Sequence, residues 1–179
     1  MTDRGQQPTL EGPRIRLRPW RPDDVDAVVA ACQDPEIQRW TQVPVPYASE
    51  HAHGFVGEIA PSTWADGGAL FAVEPVDDGP LAGSIGMFAP RDGFAEAGYW
   101  TAAGSRGRGF TAEALGVLTE WAFRDIGLHR MELHVDPANV GSRAVAERAG
   151  YRVEGLIRQR FLHRGRPADV VLYARLATD

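Results

Sequence analysis

The chain has 179 residues, of which 44% are hydrophobic and 24% charged, and a formal net charge of −5. This is enough chain for one domain with a real core, and no apolar run is long enough to span a bilayer. Its basic residues are all arginine, 19 of them, and a mildly acidic chain without a dense basic stripe makes a poor nucleic-acid binder. Cys32 is the single cysteine, which excludes an internal disulfide and fits a reducing, cytoplasmic setting.

Residues 1–11 are polar at the start, lack the apolar core of a secretory signal and read as a flexible tail before one domain over 12–177. Arg14 to Arg18 alternates with period two and predicts a strand. Pro22 to Gln33 predicts a helix, with Asp23 and Asp24 in its first turn and Val25, Val28 and Val29 on its apolar side. Cys32 sits on that helix and reads as a small core residue. The stretch from Pro35 to Tyr47 is broken by prolines. Ser49 to Trp64 predicts a second helix, with Ser49 as N-cap and Phe55, Val56 and Ile59 facing inward.

Three strands follow: Ala69 to Glu74, Leu81 to Phe88, and Phe94 to Ala102. Turn signals at Asp77 to Gly79 and Arg91 to Gly93 join them as hairpins. A helix from Phe110 to Ile126 is stopped by Gly127. A strand from Arg130 to Val135 and a short helix from Asn139 to Ala149 come next. Two last strands, Arg152 to Leu162 and Ala168 to Leu176, make seven, and the sheet must be mixed because hairpins surround a β-α-β unit. The chain shows no internal repeat and no linker that would divide it.

The segment between Gly98 and Ala114 carries most of the chemical information. A strand leads into a loop, Arg106-Gly-Arg-Gly-Phe-Thr111, that opens onto a helix N-terminus. Few Cβ atoms, free backbone N–H groups and the positive end of a helix dipole converge there, which is the geometry that binds phosphate. A Walker loop needs a lysine, and this chain has none. A dinucleotide fold would put its glycine loop in the first β-α turn, whereas here hairpin strands precede it. If the strands before the loop and before the short helix are parallel neighbours, both helix N-termini lie at one end of the sheet. No metal site emerges, because His51 and His53 are two apart on a helix and Cys32 has no nearby partner.

These residues resemble the GNAT N-acetyltransferase family. Arg106 to Ala114 resembles its acetyl-CoA pyrophosphate loop. Asn139, Ser142 and Arg143, followed by Glu147 to Tyr151, resemble its second conserved block. Pro13 to Trp20 and Leu172 to Ala174 resemble the Rim-type branch, which acetylates N-terminal amines of ribosomal proteins and also contains enzymes for other acceptors. The resemblance implies an α/β (α+β) fold, a twisted mixed sheet of about seven strands flanked by helices. It also implies direct transfer of an acetyl group from acetyl-CoA to a primary amine, on a protein N-terminus or a small molecule.

Roles for individual residues follow from the resemblance. The amides of Arg106, Gly107, Arg108, Gly109, Phe110 and Thr111 hold the pyrophosphate, with the Arg106 and Arg108 guanidiniums adding charge. Gly104 stands where the family often has Gln or Arg, and Arg106 is the replacement. The amides near Trp100 and Thr101 polarise the thioester carbonyl, and Trp100 reads equally as core. Asn139 both caps the short helix and contacts the cofactor arm, next to Arg143. Ser142 takes the place of general acid, since Ala146 stands where many members have tyrosine. The strand near Phe161 lacks the glutamate found in part of the branch, which leaves Glu96 as the candidate base, directly or through a water. His134 and His163 are alternatives. Trp40 and Tyr47 line the acceptor side. Succinyl-CoA is an alternative donor if Arg158 and Arg160 pair a distal carboxylate. A non-catalytic acyl-CoA-binding module is the alternative class. By the same resemblance the protein is a monomer or homodimer, while charge and hydropathy argue against a nucleic-acid or membrane partner.

Overall fold

The computed structural model describes residues 5–179. Eight strands form one sheet in the order β1-β2-β3-β4-β5-β6-β8-β7. They are β1 (Leu10–Glu11), β2 (Ile15–Arg18), β3 (Ala69–Pro75), β4 (Gly83–Arg91), β5 (Phe94–Thr101), β6 (Arg130–Val135), β7 (Arg152–His163) and β8 (Arg166–Leu176). Every neighbouring pair is antiparallel except β5 with β6, which is parallel. That one parallel pair needs a crossover, and the helix α5 (Phe110–Trp121) supplies it.

The expected tail is the source of the eighth strand. Leu10 and Glu11 pair with Leu17 and Arg16. Upstream, Trp64 donates its indole N–H to the Gly5 carbonyl and Gln7 donates to the Leu70 carbonyl. Residues 5–11 are therefore docked along the sheet; residues 1–4 of the expected tail lie outside the described residues.

The sheet has two differently covered faces. On one, odd-numbered residues of β5 and β6 (Ala95, Ala97, Met131, Leu133) join Ile15, Leu17, Phe71 and Ile85 against Leu115, Leu118 and Trp121 of α5 and Ala146 of α6 (Val140–Arg148). Each of the larger side chains, Ile, Leu, Met and Phe, contributes about 1.5–3 kcal/mol when fully buried. On the other face a second cluster gathers Val25, Val28 and Cys32 of α1 (Val25–Cys32), Ile37 of α2 (Pro35–Trp40), Tyr47, and Ala52 of α3 (Ser49–Gly54), with Trp20 and Trp100 packed against it.

Local chemistry departs from the sequence expectations at three places. Pro35 starts a helix instead of breaking the chain, because Asp34 caps it by accepting from the Glu36 and Ile37 N–H groups and Pro35 occupies the first turn. Ser49 is the first helical residue and not the cap; the preceding Ala48 donates its N–H to His51 Nδ1 at 3.0 Å. The second helix widens into a π-helical stretch, Phe55–Ile59, before α4 (Ala60–Ala65). The extra residue per turn rotates Ile59 outward, to 52% exposure, while Val56 stays buried.

Arg18, expected only as a strand residue, is buried with its charge. Its guanidinium donates to both oxygens of Asp24 at 2.8 Å, and its Nε to Glu74 at 3.0 Å. A buried guanidinium is tolerable when its donors are met in this way. The pair fastens the start of α1 to β2 and β3.

Candidate active site

The parallel pair β5 and β6 is short. Phe94, Ala95 and Glu96 face Arg130, Met131 and Glu132, and there the pairing stops. Beyond it Ala97 to Thr101 pair only with β4, and Leu133 to Val135 only with β8. The sheet therefore opens into a split at the carboxyl ends of its two parallel strands, next to the N-termini of α5 and α6. Such a split leaves backbone groups on both lips without sheet partners.

Which amides face the split follows from the pairing. Ala102 donates its N–H to Ala82, on the β4 side. Alternation then sends the Trp100 and Gly98 amides to β4 as well, and those of Thr101 and Tyr99 into the split. Trp100 is thus corrected as an amide donor to a thioester: its N–H belongs to the β4 ladder, and its ring lies 6.4 Å from that of Trp20 in the second cluster. The Thr101 amide faces the split, and its hydroxyl meets that of Thr111 at 2.6 Å, tying the split to the first turn of α5. Tyr99 was not singled out from sequence.

The glycine loop ends the split. Gly107 (φ 74°) and Gly109 (φ 79°) both adopt the left-handed conformation, which glycine takes without strain. Gly109 caps α5 with no side chain, and the first helical bond runs from the Glu113 N–H to the Gly109 carbonyl. The Arg106 N–H, expected among the phosphate donors, turns back to the Ala103 carbonyl at 3.4 Å, and the N–H groups of 107–112 point out of the loop and helix end, in the arrangement that receives a phosphate. The two loop arginines differ. Arg106 is bound to Asp34, with Nη2–Oδ1 at 2.6 Å and Nη1–Oδ2 at 3.2 Å. Arg108 makes no ion pair within the described residues and lies 4.4 Å from the Phe110 ring centroid. The free charge of the loop is Arg108, while Arg106 ties the loop to the start of α2.

Two contacts cross the split, one on each face of the sheet. On the face of the second cluster, Glu96 of β5 meets His134 Nδ1 of β6 at 3.1 Å, and His134 Nε2 lies 3.9 Å from Glu132. The His134 side chain is 9% exposed and that of Glu96 46%, so the carboxylate is open to solvent while the imidazole behind it is enclosed. Glu132 is in turn held by Arg130 at 2.6 Å. Beside Glu96 the floor is shallow: an added Cβ at Gly98 would come within 3.0 Å of the Phe88 ring.

On the α6 face, the Tyr99 hydroxyl lies 2.8 Å from Ser142 Oγ and donates to the Ser142 carbonyl at 3.2 Å. Ser142 is held in the first turn of α6, where its N–H donates to Asn139 Oδ1 at 3.0 Å. Asn139 is thus the N-cap. Arg143 turns toward β8 and donates to the Tyr173 hydroxyl at 3.2 Å, and Tyr173 donates to Glu147. Ala146, at the position where many members of the family have tyrosine, is fully buried.

The remaining candidates lie farther out. Trp40 donates its indole N–H to Glu36 and stacks under Arg39. Tyr47 is 7% exposed and belongs to the second core, beside Cys32. Burial pushes the Cys32 thiol up to about 11, so it is an inert core group. His163, at the tip of the β7–β8 hairpin, meets Gln42 at 3.2 Å. Beside it the Arg164 guanidinium donates to the carbonyls of Gln38, in the last turn of α2, and of Thr41 and Val43 beyond it. That bridge joins the hairpin to the expected acceptor wall. Arg158 and Arg160 are exposed at an irregularity of β7. No cluster of three or more metal-ligating side chains occurs among the described residues.

A mixed sheet split at its one parallel pair, with a glycine phosphate loop at the end of the split, defines an acyl-CoA N-acyltransferase fold. Residues 14–152 match the acetyltransferase (GNAT) domain family, and the chain belongs to it. The uncharacterized N-acetyltransferase p20 of Bacillus licheniformis is 26% identical over 174 residues, 96% of this chain and 97% of that protein. RimJ of Mycobacterium smegmatis, solved in complex with CoA-disulfide, superposes with a TM-score of 0.80 at 27% identity, covering 96% of this chain and 87% of that one. The ribosomal-protein-S5-alanine acetyltransferase of Vibrio fischeri shares the fold at 17% identity, with a TM-score of 0.82 over 97% of this chain and 98% of the other.

Proposed function

We propose that this acetyltransferase moves the acetyl group of acetyl-CoA to the N-terminal amine of a protein by direct attack of the amine on the thioester. The observation that carries the proposal is the pair of contacts across the split, Glu96 with His134 on one face and Tyr99 with Ser142 on the other. A thioester lying between β5 and β6 has a carboxylate on the side of the second cluster and a hydroxyl on the side of α6. Attack and departure then happen on opposite faces of one slot.

Each residue has a stated task. The amides of 107–112 and the Arg108 guanidinium hold the pyrophosphate. The Thr101 N–H donates to the thioester carbonyl and stabilises the oxyanion that forms there. Glu96, steadied by His134, takes the proton of the attacking amine; its exposure lets the proton leave to solvent. As the C–N bond forms and the C–S bond breaks, Ser142 donates a hydrogen bond and a proton to the sulfur and recovers its proton from water. A protein acceptor is supported by the Vibrio fischeri neighbour, whose name gives it ribosomal protein S5 as its acceptor. The hairpin bridge from Arg164 over the α2 end adds a wall against which an extended chain can lie. A cytoplasmic setting, with monomer or homodimer as the working form, completes the reading.

The test is thiol release from acetyl-CoA with a panel of N-terminal peptides and small amines. Release with peptides and not with free amines is the expected result. Release only with small amines replaces the protein acceptor by a small molecule. Glu96→Gln is expected to lower kcat by about 100-fold or more with the acetyl-CoA KM unchanged.

A further inference from the structure

Tyr99 has one hydroxyl proton and two acceptors on the same residue, the Ser142 carbonyl at 3.2 Å and Ser142 Oγ at 2.8 Å. The two choices have different consequences. When Tyr99 donates to the carbonyl, the 2.8 Å contact must be filled by the Ser142 proton, which then points at Tyr99 and away from the split. When Tyr99 donates to Oγ, the Ser142 proton is released for another acceptor. Asn139 already accepts from the Ser142 N–H and keeps the residue from rotating with the helix end. The backbone of Tyr99 faces the split, and its ring spans from β5 to α6.

We propose that Tyr99 is a positioning residue for the leaving sulfur: by donating to Ser142 Oγ it turns the Ser142 hydroxyl outward, as a hydrogen-bond donor to the thiolate of departing CoA. This rests on reading Ser142 as the group that meets the sulfur. A negative sulfur in the split favours the outward arrangement, because its attraction for the Ser142 proton leaves Oγ free to accept from Tyr99. Hydrogen bonds in such a chain strengthen one another. Tyr99 is suited to remain a donor, since burial pushes its phenol up to about 12 and it stays protonated throughout the range in which a thiol ionises. Ser142 alone, with Tyr99 absent, would still reach the sulfur but would not be aimed at it.

The test uses the thiolate absorbance of bound CoA as a function of pH, beside steady-state kinetics, for the wild type, Tyr99→Phe, Ser142→Ala and the double variant. Phenylalanine keeps the ring in the core, and thermal melts check that it does. Tyr99→Phe is expected to raise the pKa of the bound thiol by about one unit, the equivalent of a tenfold loss of thiolate preference. It should lower kcat by about tenfold without changing the acetyl-CoA KM. The double variant should be no worse than Ser142→Ala, because Tyr99 acts only through that hydroxyl. An unshifted bound thiol in a folded Tyr99→Phe protein, or losses that add in the double variant, would overturn the inference while leaving amine acetylation standing. Conversely, a wild type that acetylates no amine sinks the proposed function, and the thiol titration still decides the role of Tyr99.

Discussion

Arg106, directly before the first glycine of the loop, is bound by both terminal nitrogens of its guanidinium to Asp34, 72 residues earlier in the chain. Asp34 is also the cap of α2. One carboxylate therefore joins the glycine loop, proposed to receive the CoA phosphates, to the helix that leads into the proposed acceptor wall. The pair is partly open to water, with 38% and 18% side-chain exposure, so its charge attraction is worth at most about 1 kcal/mol.

Asp34→Ala removes both the cap and the ion pair and is expected to lower stability by about 1–2 kcal/mol. Asp34→Asn keeps a capping oxygen and loses the charge, so it should cost well under half of that. Both should raise the acetyl-CoA KM by a few-fold as the loop loosens. Thermal melts and initial-rate kinetics on the two variants separate the cap from the latch; equal melting losses in both would refute the capping role.

The left-handed glycines predict a different pattern. An added Cβ at Gly109 strains a φ of 79° and approaches the Arg14 guanidinium to 3.3 Å, whereas one at Gly107 meets nothing within 4 Å but strains a φ of 74°. Each alanine substitution should cost about 1–2 kcal/mol of stability. Both methyl groups would also crowd the phosphate approach. The acetyl-CoA KM is expected to rise at least tenfold, with kcat changed far less, in initial-rate measurements on Gly107→Ala and Gly109→Ala.

Arg164 offers a test of the acceptor wall. Its guanidinium is the bridge from the hairpin to the carbonyls at and after the end of α2. Arg164→Ala should raise the KM for the amine several-fold and leave the acetyl-CoA KM unchanged, because the bridge lies away from the glycine loop. A parallel rise in both constants would show that the bridge supports the whole domain instead.

Acid stability should report the buried pair Arg18–Asp24. Burial by itself would raise the Asp24 carboxyl, but donation from Arg18 and from the Arg21 N–H outweighs it and holds the group below the usual carboxylate range. Asp34, through Arg106, and Glu154, through Arg130, are lowered as well. A depressed carboxyl contributes stability that is fully present above its unfolded pKa, about 4, and is lost as the pH falls through the folded value. Urea midpoints should therefore be flat in this contribution from pH 7 to about 5 and decline below pH 4. Asp24→Asn is expected to flatten that decline and to cost about 3 kcal/mol at pH 7, since it leaves a buried guanidinium short of its partner.

Much of this architecture is written locally. The period-two run at Ile15 to Arg18, the turn at Arg91 to Gly93 and the glycine loop before Phe110 act through residues next to one another, and each forms as its own chemistry dictates. Asn139 is legible for the same reason, because a cap needs only the helix it caps. The Pro35 helix was missed although its cap, Asp34, stands in the sequence; a proline read as a breaker is here a first-turn residue. The widening at Phe55–Ile59 depends on packing and has no local signal.

The sequence by itself determined the hairpins, the glycine loop before a helix N-terminus and the residue types that can move protons. Only the tertiary structure decided how those types are paired. Tyr99 reaches Ser142 across 43 residues and Arg106 reaches Asp34 across 72, and His134 stands behind Glu96 because β5 and β6 run in register for three residues and then part. Which amide faces the split, Trp100 or Thr101, turns on the hydrogen-bonding phase of β5 against β4. Register and strand separation are set by the packing of distant segments on both faces of the sheet, and a one-residue change in either would exchange every partner.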